Sequence, residues 1–175
     1  NLEDIAAPRS FEIETRLKEE LTIPVFHDDQ HGTAIVVGGA LINALKLVNK
    51  KIDEVKVVIN GAGAAGTSIA KHLMLLGVKN LIICDKFGII DKDTVYENPH
   101  HNELGKITNP NNEKGLLKDA LINADVFIGV SAANVVSKDM VRSMKDPFVF
   151  AMANPTPEIM PDVAKEAGAR IIGTG

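Results

Sequence analysis

The sequence predicts an α/β fold: a doubly wound, mostly parallel sheet with helices on both faces. Three observations carry this. Short apolar runs at 55–59, 81–84, 124–130, 148–152 and 169–172 alternate with segments of helical period. The first run ends in Gly61-Ala62-Gly63-Ala64-Ala65-Gly66 and opens at once into a helical segment. The polar clusters at Asp28/Asp29, 61–66, Asp85, Val130-Ser131 and Asn154 each follow an expected strand. Open α/β sheets hold their ligands beyond such carboxyl ends.

Taken in order, residues 2–21 space Ile5, Phe11, Ile13, Leu17 and Leu21 among charges. The period is helical from about Pro8, a residue suited to a first helical turn. Residues 23–26 read as a short strand. The polar loop His27-Asp28-Asp29-Gln30-His31-Gly32-Thr33 then leads into a nearly all-apolar helix over 34–48, and a helix apolar all round is buried. Residues 49–54 connect to the strand at 55–59. A helix over 68–76 and a strand at 81–84 complete a strand-helix-strand unit. Residues 86–114, with Pro99, Pro110 and several Asn, read as a long loop with one short helix. A helix over 115–123 precedes the strand at 124–130. The next helix, 137–144, opens on Ser137, a good N-cap, with Asp139 in its first turn. A strand at 148–152, a turn at 153–157, a helix over 161–167 and a strand at 169–172 follow.

A chain of 175 residues suits one domain, or one domain and part of another. Its 45% hydrophobic and 24% charged residues are those of a globular chain. A net charge of −4 without a basic block argues against nucleic acid as a partner. Cys84 is the only cysteine, so no intrachain disulfide forms, which fits a reducing compartment. Its place in an apolar run reads as a small buried hydrophobe. No apolar run approaches the ~18 residues of a membrane span, and no signal peptide is visible. The expectation is a cytoplasmic chain with no membrane partner. It starts at Asn1 rather than Met and stops just after an apolar run, so it reads as a piece of a longer protein.

Strand, glycine turn, helix, strand and acid together describe a Rossmann-type dinucleotide site. Gly61 permits the tight turn, Gly63 lets backbone approach a pyrophosphate, and Gly66 lets the helix lie close to the strand. The helix N-terminus offers free N–H groups and partial positive charge to phosphates. Asp85 stands where a carboxylate accepts from ribose hydroxyls and repels a 2′-phosphate, which favours NAD. Lys86 follows it and is able to turn toward a phosphate, so NADP stays open. The plainer alternative is a strand-to-helix turn with no cofactor.

Glu3, Asp4, Asp28 and Asp29 form two adjacent acid pairs. Oxygen donors of this kind suit Mg2+ or Mn2+, and adjacent carboxylates repel unless a cation or proton intervenes. Helix-capping acids and a solvated loop explain the same pairs. His27 and His31 flank the second pair, but no HExxH or cysteine pair supports zinc, and both read as structural. Asn154 before Pro155 is either an amide presented to a ligand or a turn residue.

Several segments together resemble the malic enzymes. They are Asn1-Leu2-Glu3-Asp4, Phe26-His27-Asp28-Asp29-Gln30-His31-Gly32-Thr33-Ala34, the glycine turn with Ile59-Asn60, Phe127-Ile128-Gly129-Val130-Ser131, and Ala151-Met152-Ala153-Asn154-Pro155-Thr156-Pro157-Glu158. The resemblance covers essentially the whole chain. The His in Gln30-His31-Gly32-Thr33 is similar to that of the family's shorter bacterial branch. It implies oxidation of (S)-malate with NAD+ or NADP+, then decarboxylation of oxaloacetate to pyruvate on a divalent metal. It implies metal ligation by Glu3, Asp4 and Asp29, with Asp28 in a proton-transfer network beside a catalytic lysine. It implies Asn154 near nicotinamide and substrate. Thr33, Gly61, Ala62, Gly63, Ala64, Ala65, Gly66, Asp85, Gly129, Val130 and Ser131 would then line the cofactor.

The same resemblance makes residues 1–33 a metal-site helix and loop, and 34–175 the dinucleotide-binding domain of a longer two-domain, homodimeric enzyme. The family's catalytic tyrosine and lysine lie upstream of Asn1, and its asparagine-rich substrate loop lies after Gly175. Tyr96, the only tyrosine, matches no family motif. The chain alone is therefore expected to bind dinucleotide without turning over malate. Two other readings compete. A dehydrogenase of the glutamate dehydrogenase type needs no metal and leaves the acid pairs without work. A non-catalytic NAD-sensing module needs neither those pairs nor Asn154.

Overall fold

A computed structural model describes residues 1–3, 5 and 9–175. The helices are α1 (Arg9–Glu20), α2 (Asp28–Val48), α3 (Ala64–Leu75), α4 (Pro99–Ile107), α5 (Leu117–Ala120), α6 (Lys138–Ser143) and α7 (Pro161–Glu166). The strands are β1 (Lys56–Asn60), β2 (Asn80–Asp85), β3 (Gly88–Ile89), β4 (Val126–Gly129), β5 (Phe148–Ala151) and β6 (Ile171–Thr174). They form one sheet in the order β3-β2-β1-β4-β5-β6, parallel except for the β2–β3 pair.

The strands read as unbroken apolar runs because both faces of the sheet are covered. Val57, Ile59, Leu81, Ile83, Val126, Ile128, Phe148 and Phe150 pack with Val37 and Leu41 of α2 and Ile69 and Leu73 of α3. The alternate residues Val58, Ile82, Cys84, Phe127, Val149 and Ala151 pack on the other face with Ala120, Val141 and Ala164 of α5, α6 and α7. Cys84 is the buried small hydrophobe its context predicts, and burial pushes its thiol pKa up to about 12.

Several boundaries differ from the sequence reading. The polar segment after His27 is not an entry loop. Residues 28–33 are the first turns of α2, which runs unbroken across position 33/34. Asp28 and Asp29 suit the positive end of a helix dipole, and that preference outweighs the lack of apolar period there. No strand forms at 23–26: Ile23 and Phe26 are exposed, and the pairing reduces to a single parallel bridge between Leu2 and His27. The helix expected over 115–123 spans only Leu117–Ala120. The long loop contains both β3 and α4, and Asn98 caps α4 by accepting from the His100 N–H at 3.1 Å. Ser137 caps α6 as expected. Pro8 and Asp4 lie outside the described residues. By length and composition α2 would reach across a bilayer, which narrows the expectation of no such segment; here it packs into the core through Val37, Leu41, Ala44 and Leu45.

The strand order reverses between β1 and β4. The carboxyl ends of these two strands, Asn60 and Gly129, therefore open a crevice at the reversal point of the sheet.

Candidate functional site at the reversal point of the sheet

Three glycines in the turn after β1 do three different things. Gly61 has φ of 120°, a left-handed conformation, and a Cβ there would sit 2.5 Å from the Val130 carbonyl oxygen. Gly66 brings α3 against the end of β1, where a Cβ would lie 1.7 Å from the Gly61 oxygen. Gly63 is different. Its backbone is extended, at φ −83° and ψ −161°, and a Cβ there would meet nothing within 4 Å. Neither strain nor crowding in the folded chain requires glycine at that position. Gly63 is also the N-cap of α3 and, having no side chain, offers that helix no side-chain cap. The first-turn N–H groups of α3 thus face an open space suited to an anion.

That space is part of a cleft of ≈ 800 Å³ floored by Asn60, Gly61, Ala62 and Gly63. Asp85, Tyr96 and His101 stand at the β2 side; Ser131 and Val135 stand at the β4 side. Asp85 Oδ1 accepts from the N–H groups of Phe87 at 2.7 Å and Gly88 at 3.1 Å. Its Oδ2 lies 3.5 Å from His101 Nδ1, and the Tyr96 ring packs edge-on against His101. Tyr96 in turn accepts from the Asp91 N–H at 3.0 Å through its hydroxyl. A smaller hollow of ≈ 330 Å³ on the outer face of α1, from Arg9 to Glu20, shares none of these residues.

At the β4 side, Asn60 Nδ2 donates to Ser131 Oγ at 2.7 Å, tying β1 to β4 across the crevice. Glu158 lies beneath Ser131, fully buried. Its Oε1 accepts from the Ser131 N–H at 2.8 Å and its Oε2 from the Ala153 N–H at 3.1 Å. Gly129 has no room for a side chain because this carboxylate would lie within 2.6 Å of its Cβ. Val130 packs against Gly61. Asn154, joined to Pro155 by a cis peptide, is exposed and outside the cleft lining, as is half-buried Thr33 in α2. Ala64 and Ala65 begin α3.

Backbone brings Glu3 beside the Asp28/Asp29 pair. The Leu2 N–H donates to the Phe26 carbonyl at 2.7 Å and the Asp28 N–H to the Leu2 carbonyl at 2.9 Å. Glu3 therefore runs alongside Asp28, with Asp28 and Asp29 exposed on the first turn of α2. The Asp28 carboxylate folds back over Gly32, whose Cβ would sit 2.3 Å from Oδ1. Glu3 Oε1 accepts from Asn1 Nδ2 at 2.6 Å. Among the described residues no three His, Cys, Asp or Glu gather as a metal centre. His31 is structural: its Nε2 lies 2.7 Å from Glu14 Oε1 and ties α2 to α1. Burial pushes the Glu14 pKa up, but Lys18 and His31 outweigh it and hold the carboxyl below its usual range. His27 is fully buried as the N-cap of α2, and among the described residues neither ring nitrogen has a hydrogen-bond partner.

Sequence reasoning placed the glycine turn, Asp85 and Ser131 in one cleft. It missed Tyr96 and His101, which arrive from the long loop and carry no motif. Glu158 stood within a recognised segment without a role, since nothing in its Pro-rich surroundings announces burial.

Comparison with known proteins agrees with this geometry. The family model described as malic enzyme, NAD binding domain matches residues 30–172. The chain is 56% identical over 176 residues to an NAD-dependent malic enzyme of Geobacillus stearothermophilus, covering 100% of this chain and 37% of that protein. It is 46% identical to an NADP-dependent malic enzyme of Haemophilus influenzae, covering 94% of this chain and 22% of the other. The crystal structure of an NAD-dependent malic enzyme from Thermotoga maritima superposes with a TM-score of 0.96 at 54% identity, covering 100% of this chain and 47% of that one. The chain thus spans less than half the length of each of these relatives. The matched stretch includes the glycine turn, both carboxyl-end loops and all six strands but for the last residues of β6, and on that ground the chain belongs to the malic enzyme family as its nicotinamide-dinucleotide-binding domain.

Proposed function

We propose that the protein containing this chain oxidises (S)-malate with NAD+ and releases pyruvate and CO2 with the help of Mg2+ or Mn2+, and that this chain supplies the cofactor cleft. The observation that carries the cofactor cleft is Gly63: a position open to solvent, in an extended backbone conformation, at the start of α3. Glycine there makes sense if a ligand's phosphates fill the space a side chain would take. When bound, the cofactor accepts a hydride and the cation polarises the malate hydroxyl.

The residues that line the cleft suit a dinucleotide, and the carboxylates of Glu3 and Asp29 are oxygen donors of the kind such a cation takes. Gly61 and Gly66 shape the turn, and the N–H groups of Ala64 and Ala65 in the first turn of α3 face the phosphates. Asp85 holds the adenosine ribose through Oδ2, since Oδ1 is already engaged by its own loop. Gly129, Val130 and Ser131 bound the nicotinamide side, with Asn154 and Thr33 reaching it when the remaining protein closes the cleft. The backbone bridge that aligns Glu3 with Asp28 supports a cation site formed by Glu3, Asp4 and Asp29. Asp28 orients the proton-transfer lysine that the rest of the protein would contribute. NAD is favoured over NADP by Asp85. Residues 1–33 as metal segment and 34–175 as cofactor domain, a cytoplasmic homodimer, and small molecules as the only ligands complete the reading.

The test uses the full-length protein: malate-dependent reduction of NAD+ in the presence of Mn2+, before and after chelation. Asp29→Ala is expected to lower the rate at least ~100-fold while leaving NAD+ affinity within about threefold. Malate oxidation that survives both chelation and Asp29→Ala would refute the metal assignment, and intact NAD+ binding with no malate oxidation would refute the reaction.

A further inference from the structure

Glu158 is a buried acid for which the proposed reaction has no use. It is 0% exposed, on the turn between β5 and α7. Oε1 accepts from the Ser131 N–H at 2.8 Å and the Ser131 hydroxyl at 3.2 Å, and Oε2 from the Ala153 N–H at 3.1 Å. Acceptance on both oxygens is the pattern of a carboxylate anion. Among the described residues no Lys, Arg or His pairs with it, and its partners are neutral donors only. Burying an anion without a cation is expensive. This one also excludes any side chain from Gly129, the last residue of β4.

Its position suggests where the missing positive charge comes from. Glu158 is one hydrogen bond behind Ser131, and Ser131 lines the cleft. In a doubly wound sheet the first half holds the adenosine and the second half, here β4 and β5, holds the other mononucleotide. The oxidised nicotinamide ring is a cation, and hydride transfer makes it neutral. A fixed anion behind that pocket acts differently on the two forms.

We propose that Glu158 is a positioning residue that fixes the β4 and β5 loops through Ser131 and Ala153 and sets a negative charge behind the nicotinamide pocket, favouring the cationic oxidised ring over the neutral reduced one. The proposal rests on the reading of this cleft as the dinucleotide site. It gives the buried anion a role in cofactor exchange: the cleft holds the oxidised form more tightly than uncharged walls would, and that gain is lost once hydride transfer makes the ring neutral.

The test is the ratio of dissociation constants for NAD+ and NADH, measured by titration of the full-length protein. Glu158→Gln is expected to raise Kd(NAD+)/Kd(NADH) roughly fivefold, the scale of one partly screened charge. Glu158→Asp keeps the charge but withdraws it from Ser131, so both constants rise together and the ratio stays near wild type. A Gln ratio equal to wild type overturns the proposal, and so does an Asp ratio that moves with the Gln ratio, because loop geometry would then be the cause. Wild-type protein is also expected to bind NAD+ about fivefold tighter than benzamide adenine dinucleotide, an uncharged planar isostere. Equal affinity overturns the proposal even if Glu158→Gln does not fold. Wild-type protein that binds none of the three dinucleotides overturns the cleft reading itself, an outcome distinct from a failed ratio.

Discussion

Gly66 and Asp85 show how much one residue decides at this sheet edge. A Cβ at Gly66 would lie 1.7 Å from the Gly61 oxygen, a backbone atom that cannot swing aside. Gly66→Ala is expected to destabilise the fold by about 2–4 kcal/mol, read by denaturant unfolding, because α3 must back away from β1. Asp85 calls for a subtler variant. Its Oδ1 accepts from Phe87 and Gly88 and holds the loop after β2, so removing the whole side chain confounds specificity with loop disorder. Asp85→Asn keeps an acceptor for those N–H groups and removes the charge. It is expected to narrow the preference for NAD+ over NADP+ by roughly tenfold in Kd. Wild-type protein binding NADP+ the more tightly would contradict the role given to Asp85. These two residues were legible because glycine spacing and an acid after a strand are local signals. Glu158, His101 and Tyr96 were not, since their roles come from tertiary burial and from an irregular loop held by polar side chains such as Asp91 and Asn109.

At the scale of elements, apolar period located the five parallel strands but not the ends of helices governed by polar residues. α2 begins six residues before its apolar stripe, where two acids meet the helix dipole. Residues 23–26 have strand composition and, among the described residues, no strand beside them to complete a ladder, and β-propensity does not act alone. What holds elements together at the opposite end of the sheet is ionic. Lys50, just after α2, reaches Asp125 at 2.7 Å and Asp146 at 3.0 Å. Burial pushes the Lys50 pKa down, but the two carboxylates prevail and raise it. Its contribution is complete below the ordinary lysine range and is lost as pH rises through the raised value. Lys50→Met leaves the largely buried Asp125 facing Asp146 and is expected to cost about 1–3 kcal/mol in thermal unfolding, reduced from the cost of a fully buried pair by solvent. The α1–α2 contact behaves in the opposite sense. Glu14 is held below the usual carboxylate range, so its tie to His31 and Lys18 is present above that range and fails as pH falls through the lowered value. Hydrogen-exchange protection in α1, corrected for the intrinsic pH dependence of amide exchange, should therefore fall as pH drops below the ordinary carboxylate range, before protection in the sheet does.

For the molecule as a whole, the order β3-β2-β1-β4-β5-β6 puts a reversal between β1 and β4, and the glycine turn lies there. The alternation of strands and helices was enough to foresee that arrangement, because parallel sheets covered on both faces leave ligands only the carboxyl edge. The acids proposed to name the reaction come from two separate segments: one backbone bridge aligns Glu3 with Asp28, and Asp4 lies outside the described residues. The chain covers 37–47% of the Geobacillus and Thermotoga relatives, and the chemistry proposed here needs groups from the rest of such a protein. The 175-residue chain assayed alone with malate, Mn2+ and NAD+ is accordingly expected to show no turnover, and turnover near the full-length rate would contradict that division of labour. The central claim is that the space above Gly63 belongs to a dinucleotide phosphate, and it is tested most directly by the NAD+ dissociation constant of full-length Gly63→Val. The backbone at Gly63 is extended and no neighbour lies within 4 Å of a Cβ there, so the loss of stability is expected to stay near the ~1 kcal/mol of a poorer N-cap. The dissociation constant is predicted to rise at least ~30-fold, the effect of driving a side chain into a phosphate site. An unchanged constant would place the cofactor elsewhere and contradict the account.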